Sequence, residues 1–175
     1  PFRHFELQTV MVSSLKPCPY KNLFYCYGGT HRNGNVYSQL ENNVTRAIIY
    51  VLENSERSLV LKPFLIHFAD IKIEEVSLPK VMFDLQRKGN KFKKIKEKVV
   101  LIIAPDKKLD YNDKNNKNKS GIPDALIFSE KLFAILVETK LGKQATNNQI
   151  QRHLKSAGWE NKEYKTRYCG LYEIL

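Results

Sequence analysis

The sequence predicts an α/β domain in the order helix, strand, strand, strand, helix, strand. Three observations carry the prediction. Leu40, Val44, Ala47, Ile48, Val51 and Leu52 recur at helical spacing over 37–54. Short continuous apolar runs follow at 99–104, after Asp124, and at 132–137, each about as long as a buried strand. A second helical period then spans Ala145 to Ala157, before a last apolar segment, Tyr168 to Leu175.

Each element has local punctuation. Ser38, with Glu41 three residues on, matches a capping box and sets the start of the first helix. Residues 59–104 look mainly extended: Leu59 to Phe68 is apolar but interrupted by Pro63, and Ile71 to Gln86 alternates in places and breaks at Pro79. Pro105 closes the 99–104 strand. The segment Ser129-Glu130-Lys131 reads as the turn of a hairpin whose arms are the second and third strands. With that turn, Phe128 faces Leu132 and Asp124 faces Leu136. On the second helix Ile150, Leu154 and Ala157 form the apolar stripe, and Gly158 is a natural stop.

The chain reads as a single domain, 1–175, with an N-terminal extension over 1–36 and a core over 37–175 that carries an insertion at about 59–97. Because it begins at Pro1 and ends on the apolar LYEIL, it reads either as a trimmed chain or as one domain of a longer protein. No apolar run approaches the roughly 20 residues needed to span a bilayer, and PFRHFELQ is not a signal peptide. Cys18, Cys26 and Cys169 are an odd, widely spaced set, which argues for a reducing, cytoplasmic setting over a disulfide framework. Cys18, Cys26 and His31 lack a CxxC pair and a fourth ligand, so zinc is disfavoured.

The formal charge of +11 makes a polyanion the natural partner, nucleic acid first. The excess is mostly Lys in a chain also rich in Asn, a bias that an AT-rich genome produces without selection for binding. The basic stretch QRKGNKFKKIKEK over 86–98 is either a solvated hairpin or helix, or a phosphate-contacting surface. Tyr20, Phe24, Tyr25 and Tyr27 either stack on bases or pack the extension onto the core. The polar stretch 106–120 reads as a mobile loop immediately before Asp124.

The chemistry concentrates in GIPDALIFSEKLFAILVETKLG, residues 121–142. Side chains alternate across a strand, so Glu138 and Lys140 share a face and Thr139 points to the other. The expected turn puts Asp124 on the Glu138 face, one diagonal step away, with Cβ atoms about 7 Å apart. Two carboxylates so placed can grip one hard cation, Mg²⁺ or Mn²⁺, with the Thr139 carbonyl as a further ligand. An ammonium at Lys140 can orient water or offset charge on a phosphate oxygen. Together these groups suit attack of water on a phosphodiester. The alternative for Glu138 and Lys140 is a surface ion pair at a strand end.

Pro123-Asp124, thirteen intervening residues, and Glu138-Thr139-Lys140 closing an apolar strand resemble the PD-(D/E)XK nuclease superfamily. The resemblance implies a restriction-endonuclease-like core, αβββαβ, with a central mixed sheet flanked by helices and, here, extra strands inserted after the first helix. It implies Asp124 and Glu138 as metal-binding acids and Lys140 as the lysine that positions or activates water. Glu41 falls where many members carry a further acid on the first helix, so a second metal near Asp124 is open; Glu41 could equally be the helix-capping residue. Gln149 matches a glutamine found on the second helix in a subset of members, with Gln151 the fallback in another register; either could be an exposed helix residue. His153, one turn on from Gln149, departs from the tyrosine common there and reads as a surface residue or phosphate contact before a base. Lys143 and Arg152 stand near the site as weak candidates for backbone contacts. The resemblance implies a Mg-dependent nuclease, favours DNA over RNA, and leaves open a homodimer or larger multidomain assembly. A non-catalytic nucleic-acid-binding or assembly module with the same fold is the alternative.

Overall fold

A computed structural model describes residues 36–72, 78–86, 94–105, 109–110, 121–141, 144–160, 162–170 and 173. The N-terminal extension, most of the basic stretch, Lys143 and nearly all of the 106–120 loop lie outside the described residues. The elements are α1 (Val36–Asn54), α2 (Leu61–His67), a 3₁₀ turn (Leu78–Lys80), β1 (Met82–Leu85), β2 (Glu97–Ile103), β3 (Leu109–Asp110), β4 (Ala125–Ser129), β5 (Phe133–Thr139), β6 (Ala145–Thr146), α3 (Asn147–Ala157) and β7 (Lys165–Cys169). Strands β1, β4, β5, β2 and β7 lie side by side in that order; β3 pairs separately with β6. The β1–β4 and β4–β5 pairs are antiparallel, whereas β5–β2 and β2–β7 are parallel. The chain is therefore an α/β domain with a mixed five-stranded sheet.

Alternation along the strands builds two cores. Val99, Leu101 and Ile103 of β2, with Phe133, Ile135 and Val137 of β5, face Ile48, Ile49 and Leu52 of α1 and Leu61, Phe64 and Leu65 of α2. The intervening residues Val100, Ile102, Ala134 and Leu136 face Ile150, Leu154 and Ala157 of α3 and the fully buried Trp159. Because both faces are covered, the central strands read as unbroken apolar runs. Glu138 continues the Ala134–Leu136 row toward α3, and Thr139 continues the other row toward α1.

Several boundaries differ from expectation. Leu59 to Phe68 is largely the helix α2, not extended chain: Pro63 sits in its first turn, where the N–H it lacks would have had no intrahelical partner. Among the described residues, the insertion after α1 thus holds a helix, a 3₁₀ turn and one strand. Ser38 lies inside α1, which spans Val36–Asn54, and so is not the N-cap the sequence suggests. Its core-facing side is centred on Thr45, Ile48, Ile49 and Leu52, while Leu40 and Val51, expected in the buried stripe, are exposed. Helix α3 starts at Asn147, capped by the Thr146 side chain accepting from the Gln149 N–H, and ends at Gly158 in the left-handed conformation, φ 69°. The last strand lies earlier than expected, at 165–169.

The hairpin register also differs. Ser129 pairs with Phe133, Phe128 with Ala134 and Ala125 with Val137, so the loop is 130–132 rather than 129–131. The Leu132 N–H donates to the Ser129 carbonyl at 3.1 Å, and Lys131 takes a positive φ of 62° to close the turn. A shift of two residues leaves every side chain on its expected face. Continued one step, the observed register sets Asp124 opposite Glu138 instead of diagonal to it. Among the described residues, no helix is long and apolar enough to cross a membrane.

Candidate metal and phosphodiester site

The start of β4 and the ends of β5 and β2 meet at one end of the sheet. The Lys140 N–H donates to the Ile103 carbonyl at 2.8 Å, tying the residue after β5 to the end of its parallel neighbour. In open α/β sheets ligands gather outside the carboxyl ends of such strands. Asp124 is fixed there by its own backbone, whose N–H donates to the Val137 carbonyl at 3.1 Å, and by the Thr139 N–H, which donates to its Oδ2 at 2.9 Å. The Thr139 hydroxyl turns away and pairs with the Thr45 hydroxyl at 2.7 Å, leaving only the carbonyl of Thr139 for a cation. Thr45 also donates to the Glu41 carbonyl within α1 at 3.0 Å, and its hydroxyl pair with Thr139 ties α1 to β5.

Glu138 is the hub, with 1% of its surface exposed. Its Oε1 lies 2.8 Å from the Lys140 ammonium and accepts from the Gln149 side-chain amide. Its Oε2 lies 2.8 Å from His153 Nε2, although the ring N–H is not aimed at the oxygen and no aligned hydrogen bond forms. The Lys140 ammonium also reaches Glu41 Oε2 at 3.2 Å, and Glu41 Oε1 accepts from the Leu141 N–H at 3.0 Å. Glu41 therefore points at the end of β5 and does not close a capping box. It reaches the cluster through Lys140.

The electrostatics separate the two acids. Burial first, and the Glu138 charge second, push Asp124 up to about 7, against the Thr139 N–H, Lys140 and His153. Burial also raises Glu138, but contact with His153 and the Lys140 charge outweigh it and hold the carboxyl below the usual glutamate value. Burial pulls Lys140 down, yet Glu138, Glu41 and Asp124 more than offset this and hold it well above the ordinary lysine value. Lys140 is thus a fixed cation, suited to holding an anion or a water and not to removing a proton.

The residues present fit one kind of ion. Among the described residues no group of three His, Cys, Asp or Glu side chains is placed to hold a metal. Mg²⁺ asks for less: one or two carboxylates, with water and substrate oxygens completing the shell. Asp124, underpaired for an ionised acid, and Glu138 Oε2, buried without an aligned donor, supply that set.

The structure thus brings together Asp124, Glu138, Thr139, Lys140, Glu41 and Gln149. It also brings in His153, expected at the surface but 4% exposed and seated against Glu138. Gln151 is exposed on the opposite side of α3 and takes no part. Two participants were not foreseen. Thr45 carries a weak signal, a hydroxyl one turn after Glu41 beside an apolar stripe. Gly121 carries none: it packs so closely on α3 that a Cβ there would stand 2.6 Å from His153 Nδ1. Comparison with family models, with curated proteins and with solved structures returns no match.

Proposed function

We propose that this protein is a divalent-metal-dependent nuclease of the PD-(D/E)XK type, hydrolysing phosphodiester bonds in nucleic acid. The single observation that carries the reading is the convergence of Asp124, Glu138 and Lys140 at one end of the sheet, with Gln149 of α3 on the Glu138 carboxylate. Leaving aside α2, the 3₁₀ turn, β1 and the short β3–β6 pair, the order α1, β2, β4, β5, α3, β7, with β2 beside β5 and α3 covering the Glu138 face, supports a restriction-endonuclease-like core. The formal charge of +11 supports a polyanionic substrate, and the motif resemblance favours DNA over RNA.

Asp124, Glu138 and the Thr139 carbonyl would hold the metal. When bound, a hard divalent cation acidifies a water and offsets charge on the phosphate. Gln149 fixes the Glu138 carboxylate plane. Lys140, held cationic between Glu41 and Glu138, orients the attacking water or stabilises charge growing on a phosphate oxygen. Glu41 anchors that ammonium.

The test is cleavage of single- and double-stranded DNA and RNA with Mg²⁺, with Mn²⁺, and in EDTA. The reading expects hydrolysis of at least one substrate with either metal and none in EDTA. Nucleic-acid binding that ignores metal, with no cleavage of any substrate, would instead establish a non-catalytic binding module.

A further inference from the structure

We propose that Gly121 and His153 form a positioning pair for the two carboxylates, in which the absent side chain of Gly121 is the seat that holds the His153 imidazole against Glu138. The inference rests on the nuclease reading of the same site. The imidazole is 4% exposed and lies between two groups. On one side its Nε2 is 2.8 Å from Glu138 Oε2. On the other, an ideal Cβ on Gly121 would stand 2.6 Å from Nδ1, 2.9 Å from Cε1 and 3.0 Å from Arg152 Cβ.

Real Cβ atoms do not approach that closely, so any side chain at 121 displaces the ring or lifts the strap off α3. The strap is also pinned by its backbone, through the Gly121 N–H donating to the Arg152 carbonyl at 3.3 Å. Three residues later the same strap delivers Asp124, whose N–H is fixed on β5. One close approach therefore bears on both acids, on Asp124 through the chain and on Glu138 through His153. Neither ring nitrogen of His153 has an aligned hydrogen-bond partner among the described residues. The ring is held by packing between the strap and the carboxylate, which makes the fit at Gly121 decisive. Gln149 grips the other carboxylate oxygen, Oε1, so the two residues of α3 divide the Glu138 head group between them.

The experiment is a double-mutant cycle on the full chain using Gly121→Ala, His153→Ala and the pair. It is read by the thermal shift that Mn²⁺ produces over EDTA and, separately, by kcat and KM for cleavage. Gly121→Ala alone should reduce the Mn²⁺ shift and lower kcat at least tenfold with little change in KM. In the His153→Ala background the same Gly121→Ala change should have almost no further effect, because the ring it would strike is gone. His153→Gln, which can return a nitrogen to the Nε2 position, should recover more kcat than His153→Asn, which can return one only at Nδ1. If Gly121→Ala is too unstable to purify, the double variant decides: the pair predicts that adding His153→Ala restores a purifiable protein, and a double variant just as unstable would overturn it. Additive effects of the two alanines, or equal activity of Gln and Asn, would overturn the pair. Absence of any cleavage by the unaltered protein would overturn the nuclease reading instead, and the Mn²⁺ cycle would still report on the pair.

Discussion

At the scale of single residues, the site is an arrangement of unequal acids around one permanent cation. Asp124 sits at about 7 in the folded protein, against an ordinary 3.8. A folded state that holds a proton more tightly than the unfolded chain gains stability from it below about pH 4 and loses that gain as pH rises through 7. About 3 units correspond to at most ~4 kcal/mol. Metal-free protein should therefore lose stability between pH 5 and 8 relative to Asp124→Asn, which urea unfolding in EDTA at the two pH values would measure. Mg²⁺ should restore stability to the unaltered protein at pH 8 and do little for Asp124→Asn. Asp124, Glu138 and Lys140 were legible in the sequence because strand alternation alone assigns faces. Thr45, Gly121 and the buried seat of His153 were not, because each depends on contacts across the sheet between residues remote in the chain.

At the scale of elements, the hairpin and two helices hold the acids in place. Lys131 occupies the left-handed region at φ 62°, which costs a non-glycine residue roughly 1–2 kcal/mol, partly offset by its smaller unfolded-state entropy. Lys131→Gly should raise unfolding free energy by up to about 1 kcal/mol in urea titration and leave cleavage unchanged. Thr45→Val should remove the hydroxyl pair with Thr139 and loosen α1 on β5 at a cost of about 1 kcal/mol, with Thr45→Ser recovering most of it. Helix α3 and strands β2, β4 and β5 with their faces followed from period and punctuation, whereas β7 lies earlier than the apolar C-terminal segment suggested. The errors came from features that local pattern does not decide. Pro63 breaks a strand but is tolerated in a first helical turn, so α2 read as extended chain. The turn residues 129–131 and 130–132 fit the same composition, and only the positive φ at Lys131 selects between them.

At the scale of the whole molecule, a basic chain presents two acids at the carboxyl end of a mixed sheet. The formal charge of +11 predicts that nucleic-acid binding weakens steeply between about 50 and 200 mM salt, measurable by fluorescence anisotropy. An unchanged affinity over that range would remove phosphate contacts from the account. The α/β class and the layering of helices on both sheet faces were readable from unbroken apolar strands between amphipathic helices. The strand order was not, since no local signal states that β2 inserts between β5 and β7. The claim on which everything rests is that Asp124 and Glu138 hold a catalytic divalent ion while Lys140 serves the reaction as a cation. Its most direct test is Mn²⁺ titration calorimetry paired with cleavage rates for the unaltered protein, Asp124→Ala and Lys140→Ala. The account predicts that Asp124→Ala loses metal binding and cleavage together, whereas Lys140→Ala binds metal nearly as well and loses cleavage at least 100-fold, the order expected for removing one charge-stabilising group. Equal loss of metal affinity in both variants, or cleavage that survives either one, would contradict it.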